Sequence, residues 1–251
     1  MSLSIDLNAD LGEGAGHDAE ILQFVTSANI ACGFHAGDPT SILESISAAH
    51  QRGVAVGAHP SFPDRANFGR SEMSLPDAEI YSLVVYQIGA FQALAHVAGT
   101  EMNHVKAHGA LYNMAARDKS LAQLIVDAVI AVDPNTILFV PPNSSLESVA
   151  EDEQLSTAEE VFADRNYMPD GSLVSRASSD AFVHDPIAAA ERVVRMLSEG
   201  KVRAIDGSDV AIRAETICVH GDNPEAVHFV RKLRERLERE NVVITAPARR
   251  S

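Results

Sequence analysis

Short apolar runs alternate with longer segments of helical periodicity along the whole chain. The runs that have the length and composition of buried strands cover residues 3–7, 27–32, 54–58, 102–106, 136–140, 160–163 and 216–220. Most of them are continuous rather than alternating, which is typical of parallel strands that are covered on both faces. The pattern therefore predicts an α/β protein built on a parallel sheet.

The segments between these runs carry the signals of helices. Ile80, Leu83, Val84 and Ile88 keep a period of about 3.6 residues. Helix starts are indicated where a capping side chain precedes a proline, at Asp38-Pro39, Asp185-Pro186 and Asn223-Pro224. No stretch of linker composition divides the chain, so we predict one domain over residues 1–245 and a disordered tail over 246–251. The sheet could close into a barrel or stay open and doubly wound.

Polar side chains follow nearly every predicted strand. Their position distinguishes a closed barrel from an open, doubly wound sheet. In α/β barrels the functional site is built at the carboxyl ends of the strands, with several strands contributing to one centre. We therefore favour a seven-stranded (β/α) barrel. The candidate site residues are Asp6, Asn8, Asp10, Glu13, His35, His59, Lys106, His108, Asp164, Arg165, His220 and Asp222.

Composition and charge narrow the function classes. The chain has 251 residues and a formal net charge of −15, which argues against nucleic acid or an anionic membrane as a main partner. Two cysteines cannot form a disulfide framework and fit a reducing compartment. The amino-terminal residues lack the pattern of a signal peptide. We therefore expect a cytoplasmic location.

Four of the ten histidines, His35, His59, His108 and His220, occupy equivalent positions after predicted strands. Any one of these histidines alone would be interpreted as a structural residue. Because all four occur at strand ends that also carry acidic side chains, we predict that they form one shared site. Asp10, His35 and His59, with His108 beside them, are suitable ligands for a divalent metal ion. No pair of histidines on one helix supports a metal, so general acid–base catalysis by the same residues remains open.

Six segments together resemble the LamB/YcsF family, in order along residues 4–240. They are the segments around Asp6-Leu-Asn8-Ala-Asp10-Leu-Gly-Glu13, Cys32-Gly-Phe-His35-Ala-Gly-Asp38, Gly57-Ala-His59-Pro-Ser-Phe-Pro-Asp64, Lys106-Ala-His108-Gly-Ala-Leu-Tyr112, Ala163-Asp164-Arg165-Asn-Tyr167 and Cys218-Val-His220-Gly-Asp222. The resemblance implies an irregular barrel related to the glycoside hydrolase and deacetylase barrels.

The resemblance also implies an activity. It is the ATP-dependent hydrolysis of the lactam 5-oxo-L-proline to L-glutamate, with ATP and Mg²⁺ and with two partner subunits, B and C. For this reaction we expect Asp10, His35, His59 and His108 to be catalytic. The remaining candidates would bind substrate or ATP, with Lys106 and Arg165 suited to the anionic groups.

Two other functions remain as alternatives. The chain could be a metal-dependent amidase or deacetylase that acts alone, or a binding subunit that delivers substrate without catalysing the reaction. The glycine-rich segment from Gly12 to Gly16 lacks the spacing of a P-loop, so an ATP site within this chain would depend on a few local groups.

Overall fold

Seven parallel strands close into a barrel in the computed structural model, which describes residues 3–175, 178–219 and 226–249. The strands of the described residues are β1 (Ser4–Leu11), β2 (Ser27–Ala31), β3 (Ala55–His59), β4 (Met102–Val105), β5 (Ile137–Val140), β6 (Ser156–Phe162), β7 (Lys201–Arg203), β8 (Asp209–Ala211), β9 (Thr216–Val219) and β10 (Val243–Ile244). The helices are α1 (Asp18–Ile21), α2 (Pro39–His50), α3 (Asp77–Val97), α4 (Gly109–Ala115), α5 (Lys119–Val132), α6 (Ser145–Asp152), α7 (Pro186–Glu199) and α8 (Ala226–Arg239).

Barrel closure excludes the open doubly wound sheet. Strands β1 to β6 pair in chain order, and β9 pairs with both β6 and β1. β10 adds to the start of β1, while β7 and β8 form a separate antiparallel hairpin. The predicted seven-stranded (β/α) barrel is thus confirmed.

Strand β1 continues to Leu11, four residues beyond its predicted end. Leu7 and Leu11 belong to the core between the barrel and its helices, whereas Asp6, Asn8 and Asp10 alternate with them. The prediction stopped too early because polar residues were read as a loop. They point instead into a polar barrel interior.

Hydrogen bonds between neighbouring strands satisfy this polar interior. Asn8 Nδ2 donates to Thr216 Oγ1 at 2.7 Å, and Asn29 Nδ2 donates to Asn8 Oδ1 at 2.7 Å. His104 Nε2 lies 2.8 Å from Asn29 Oδ1. Asp6 accepts from Thr216 at 2.5 Å, and its burial raises its pKa to about 6. Buried polar groups of this kind are tolerated only when they are paired.

Gly57 on β3 makes room for the His104 ring in the barrel interior. A Cβ atom at position 57 would lie 2.2 Å from His104 Cδ2, closer than real contacts allow. The ring stacks on Phe139 with centroids 4.2 Å apart. The absence of a side chain at Gly57 therefore fixes how β3 and β4 pack.

Helix α3 is long and apolar enough to cross a membrane by length and composition alone. In the barrel it is a core helix, since its buried face includes Phe91 and Ile88. Gln87 on the same face receives a hydrogen bond from the Ser61 backbone N–H at 3.0 Å and donates to the Ser61 carbonyl at 2.9 Å. The helix therefore braces the end of β3.

Residues 246–249 contact the barrel, which differs from the disordered tail that the sequence led us to expect. Arg249 donates to the Met102 carbonyl at 2.7 Å and pairs with Asp133 at 2.8 Å. Asn103 donates to the Pro247 carbonyl at 3.2 Å. These partners are distant in sequence, so local composition could not reveal them. A single domain over residues 1–245 stays a prediction. Residues 246–249 pack against the barrel.

We predict that Gly57→Ala destabilises the protein, because the new methyl group must displace the His104 ring or the β3 backbone. Overpacking of this kind costs about 1–3 kcal/mol. Chemical denaturation of both proteins measures the difference.

Gly89→Ala is the matched control. Gly89 lies within helix α3, and a Cβ there would meet no atom within 4 Å. Alanine should leave stability unchanged or raise it by up to about 1 kcal/mol. Equal stabilities for the Gly57 and Gly89 variants would contradict the close packing of Gly57 against His104.

Candidate functional site

Four predicted site residues converge at the carboxyl end of the barrel. Glu13, His35, His59 and His108 each offer one ligand atom, and these atoms all lie within 4.8 Å of one another. We call this group the histidine–glutamate cluster. Glu13 comes from the loop after β1, and the histidines come from the ends of β2, β3 and β4. Of the other predicted residues, His220 and Asp222 lie outside the described residues.

Backbone carbonyl groups orient two of the histidine rings. His59 Nδ1 lies 2.7 Å from the Lys106 carbonyl, and His108 Nε2 lies 2.9 Å from the Phe68 carbonyl. A carbonyl oxygen can only accept a hydrogen bond, so the ring nitrogen that faces it must carry the proton. His59 is therefore protonated at Nδ1 and His108 at Nε2. His59 Nε2 and His108 Nδ1 then face each other at 2.9 Å.

A strained turn supplies the carbonyl group that holds His108. Phe68 has φ of 58°, a left-handed conformation that is uncommon for a residue with a side chain. Gly69 follows with φ of 66°, and a Cβ there would lie 2.9 Å from both His108 Cδ2 and His35 Cβ. Glycine at this position therefore lets the turn approach both histidines.

The third ring, His35, lies between a serine and a carboxylate. Its Nδ1 is 2.9 Å from Ser61 Oγ, and its Nε2 is 3.1 Å from Glu13 Oε1. Ser61 Oγ also donates to the Phe62 carbonyl at 3.0 Å, and in that arrangement it accepts from His35 Nδ1. The other ring nitrogen, Nε2, faces the Glu13 carboxylate.

Burial keeps two of these imidazoles neutral. Burial, together with the neighbouring His59, lowers the pKa of His35 to about 3 and that of His108 to about 2. The His35 and His108 rings stack with centroids 3.8 Å apart, an arrangement that disfavours charge on both. Neutral imidazole nitrogens and a carboxylate are groups that could hold a divalent cation or exchange a proton.

A second group of charged residues lies directly below the histidine–glutamate cluster. Lys106 Nζ is 2.8 Å from Asp10 Oδ1, 2.9 Å from Glu160 Oε1 and 3.1 Å from Cys218 Sγ. Burial alone would lower the pKa of Lys106, but the adjacent Asp10 and Glu160 carboxylates raise it well above its usual value. Asp10 Oδ2 lies 3.4 Å from His59 Nε2, which places Asp10 between the two groups.

Lys106 and Arg165, which were predicted to bind anions, both have partners within the fold. Lys106 is already paired with two carboxylates. Arg165 is buried and donates to the carbonyls of Val174 at 2.5 Å and Ala181 at 3.3 Å, which hold the loop after β6. Both cations therefore stabilise the chain itself.

The remaining predicted residues lie in two places. Asp6 and Asn8 are buried in the barrel interior, below the histidine–glutamate cluster, with their hydrogen bonds directed to other strands. Asp164 follows the end of β6, and its carbonyl accepts from the Val183 N–H at 2.8 Å. The hydrogen bonds of Asp6 and Asn8 are thus made to other strands rather than directed to the mouth of the barrel.

Several residues that shape the site were not singled out from the sequence. Glu160 accepts from Tyr112 at 2.8 Å and from Asn8 at 3.0 Å, in addition to its pair with Lys106. Asn29 donates to Asp10 at 2.8 Å. Glu160 lies within an apolar run, and a buried glutamate is rare unless it is paired. Its position in that run could therefore have indicated from the sequence that Glu160 has a charged partner.

Comparison with known proteins assigns the chain to a family. The model of the LamB/YcsF family matches residues 5–251. A protein of Oceanobacillus iheyensis, named as the A subunit of 5-oxoprolinase, is 49% identical over 249 residues, covering 97% of each chain. The chain belongs to the LamB/YcsF family. The resemblance seen in the sequence motifs is thus confirmed.

Solved structures support the fold of this family member. The crystal structure of the lactam utilization protein from Thermus thermophilus has a TM-score of 0.92 and 47% identity, covering 98% of this chain and 100% of that one. A T48 deacetylase solved with its substrate has a TM-score of 0.51 and 12% identity, covering 97% of this chain and 88% of that one. The second likeness concerns the fold alone and agrees with the expected deacetylase-type barrel.

The stability of the protein should depend on pH through buried neutral histidines such as His104. Burial, aided by Lys106, lowers the pKa of His104 from 6.5 to about 3. The unfolded chain therefore takes up a proton at this position as the pH falls below 6.5, and the folded protein does not. The associated stability is present above pH 6.5 and is lost toward pH 3, at about 1.4 kcal/mol per pH unit.

As the pH falls from about 6.5 to 4, the free energy of unfolding should decrease less steeply in His104→Gln than in the parent protein. We predict a difference in slope of about 1.4 kcal/mol per pH unit. Urea denaturation at several pH values measures it. The control is His96→Gln in the last turn of α3, where the histidine is exposed. A pH dependence of His104→Gln that equals that of the control would show that His104 does not remain neutral in the fold.

Proposed function

We propose that this chain is the subunit of a 5-oxoprolinase in which the lactam ring of 5-oxo-L-proline is bound and opened to L-glutamate. The family assignment, the name of the Oceanobacillus relative and the lactam-related name of the Thermus protein support this activity. The observation that carries it is the convergence of Glu13, three histidines and Asp10 at the mouth of the barrel.

The site has the groups that hydrolysis of a cyclic amide requires. The oxygen of a water molecule bonds to the ring carbonyl carbon, the carbon–nitrogen bond breaks, and the ring nitrogen takes up a proton. The products are an amine and a new carboxylate on the same molecule. A base must remove a proton from water, and an acid must protonate the leaving nitrogen. Unprotonated histidine nitrogens and the Asp10 carboxylate are the candidates.

Asp10 is the group best placed to act as the base. Its side chain is 12% exposed, so water can reach it at the mouth of the barrel. Lys106 and Asn29 both bind Oδ1, which leaves Oδ2 directed toward His59. A proton taken up on Oδ2 could pass to the His59 side of the cluster.

ATP cleavage belongs to the assembled enzyme in this proposal. Lys106 is held by Asp10 and Glu160, so its charge is already compensated. The Asp10 and Glu13 carboxylates at the mouth disfavour phosphate groups, and the nearby Arg65 and Arg70 offset this only in part. We infer that the partner subunits, B and C, supply the ATP and Mg²⁺ site and that the assembly works in the cytoplasm.

The proposal predicts that the isolated chain does not convert 5-oxoproline to glutamate at a useful rate, with or without ATP. Addition of both partner subunits should restore conversion that depends on ATP. Glutamate release in a coupled assay, with each component omitted in turn, measures this. Robust turnover by the chain alone would overturn the proposal in favour of an amidase that acts by itself.

Asp10→Asn should lower turnover in the assembled enzyme by roughly 10²-fold or more, the usual effect of losing acid–base help. The amide keeps the shape of the side chain and the hydrogen-bonding distance to Lys106, so far-UV circular dichroism should not change. Asp127→Asn on the exposed face of α5 is the control and should keep full activity. If Asp10→Asn raised KM and left kcat unchanged, Asp10 would bind substrate rather than act as the base.

A further inference from the structure

We propose that the histidine–glutamate cluster is a binding site for one divalent transition-metal ion of the zinc type. The ligands would be Glu13 Oε1, His59 Nε2 and His108 Nδ1, with a fourth position open to water. The His35 and His108 rings are parallel and stacked at 3.8 Å, so one ion cannot lie in the planes of both, and His35 Nε2 faces Glu13 instead. The geometry of these groups supports the site by itself. Only the suggestion that the ion serves lactam hydrolysis rests on the proposed function.

The positions of the ring protons are the first support. The Lys106 and Phe68 carbonyls require protons on His59 Nδ1 and His108 Nε2. The opposite nitrogens face each other at 2.9 Å. In the neutral rings each of them presents a lone pair, and one cation can accept both lone pairs.

The spacing of the three ligand atoms also fits a metal. Zinc–ligand distances of about 2.0–2.1 Å place neighbouring ligands of a tetrahedral site about 3.3 Å apart. The distance from Glu13 Oε1 is 3.5 Å to His108 Nδ1 and 3.9 Å to His59 Nε2. Together with the 2.9 Å between His59 and His108, these distances bracket the expected value.

Each of the two proposed ligand histidines has an acceptor behind it. The ring nitrogen that would not bind the ion is held by the Lys106 carbonyl for His59 and by the Phe68 carbonyl for His108. Metal-ligating histidines almost always have such a partner, which fixes the tautomer and the ring orientation. The site is therefore preformed by residues that lie on different strand ends.

The donor types indicate which ions would bind. Two imidazole nitrogens and one carboxylate suit zinc, cobalt or iron, whereas Mg²⁺ prefers oxygen ligands and keeps several waters. The proposed ion is therefore distinct from the Mg²⁺ that accompanies ATP. Asp10 Oδ2, 3.4 Å from His59 Nε2, lies just outside the ligand set, where it could accept a proton from a water bound to the ion.

Metal analysis of the full chain, purified without chelators and supplied with Zn²⁺, tests the proposal directly. We expect about one equivalent of zinc per chain after removal of free metal. Calorimetric titration of chelator-treated protein should show tight binding of Zn²⁺ and Co²⁺ and no comparable binding of Mg²⁺. The Co²⁺ protein should absorb in the visible range, as four-coordinate cobalt does. These readouts are independent of 5-oxoproline turnover, so they separate this proposal from the proposed function.

Variants localise the site. His108→Gln and Glu13→Gln should each weaken Zn²⁺ binding by more than the roughly 10–100-fold that loss of a hydrogen-bonding partner behind a ligand costs. Ser61→Ala should show at most that smaller loss, because it acts through His35, which contacts Glu13 and does not bind the ion. His96→Gln is the control and should bind as the parent protein does. Asp10→Asn should still bind about one equivalent of zinc per chain, because Asp10 lies outside the ligand set.

Less than about a tenth of an equivalent of zinc in the folded parent protein, with no calorimetric binding, would overturn the proposal. Zinc affinities of His108→Gln and Glu13→Gln that equal the affinity of the His96→Gln control would also overturn it. Circular dichroism of each variant shows whether its fold is intact. If His108→Gln fails to fold, the Glu13→Gln and Ser61→Ala pair still decides the outcome.

Discussion

The position of Lys106 between Asp10 and Glu160 is the interaction on which the site depends. Its Nζ fixes both carboxylates, and its backbone carbonyl receives the proton of His59 Nδ1. One residue therefore positions the base and one histidine of the cluster. Removal of Lys106 would leave both carboxylates without a counter-charge, and loss of the partner of a buried charge costs about 3–5 kcal/mol. The contacts of Lys106 with Asp10 and Glu160 therefore stabilise the barrel and also position the site residues.

The polar interior of the barrel explains how such a charge arrangement is tolerated. Asn8 and Asn29 connect Asp10 and Glu160 to Thr216 and His104 through hydrogen bonds between neighbouring strands. Most α/β barrels fill this space with branched apolar side chains. Here apolar residues inside the barrel include Ile137, Phe139 and Ala158, which form a small cluster of their own. The interior therefore supports the mouth through directed bonds, which hold side chains in fixed orientations.

Much of the fold and part of the site could be predicted from the sequence. The strands were recognisable because buried parallel strands are continuous apolar runs, and His35, His59 and His108 were recognisable because a chemically informative residue follows each strand. The pairing of Lys106 with Asp10 could not be predicted, since the two residues are 96 apart in the chain and no spacing rule connects them. Ser61 and Phe68 were missed because serine and phenylalanine carry no signal of a site. Their contribution comes from a hydroxyl group and a backbone carbonyl that the fold brings to the histidines.

The protonation pattern of the histidines tests the central claim, that unprotonated nitrogens of His59 and His108 converge beside Glu13. Nitrogen NMR of metal-free protein labelled at histidine distinguishes the two neutral tautomers and the imidazolium. The account predicts, at neutral pH, a proton on Nδ1 of His59 and on Nε2 of His108. The reverse tautomer at His59 or His108, or imidazolium signals from His35 and His108, would contradict it.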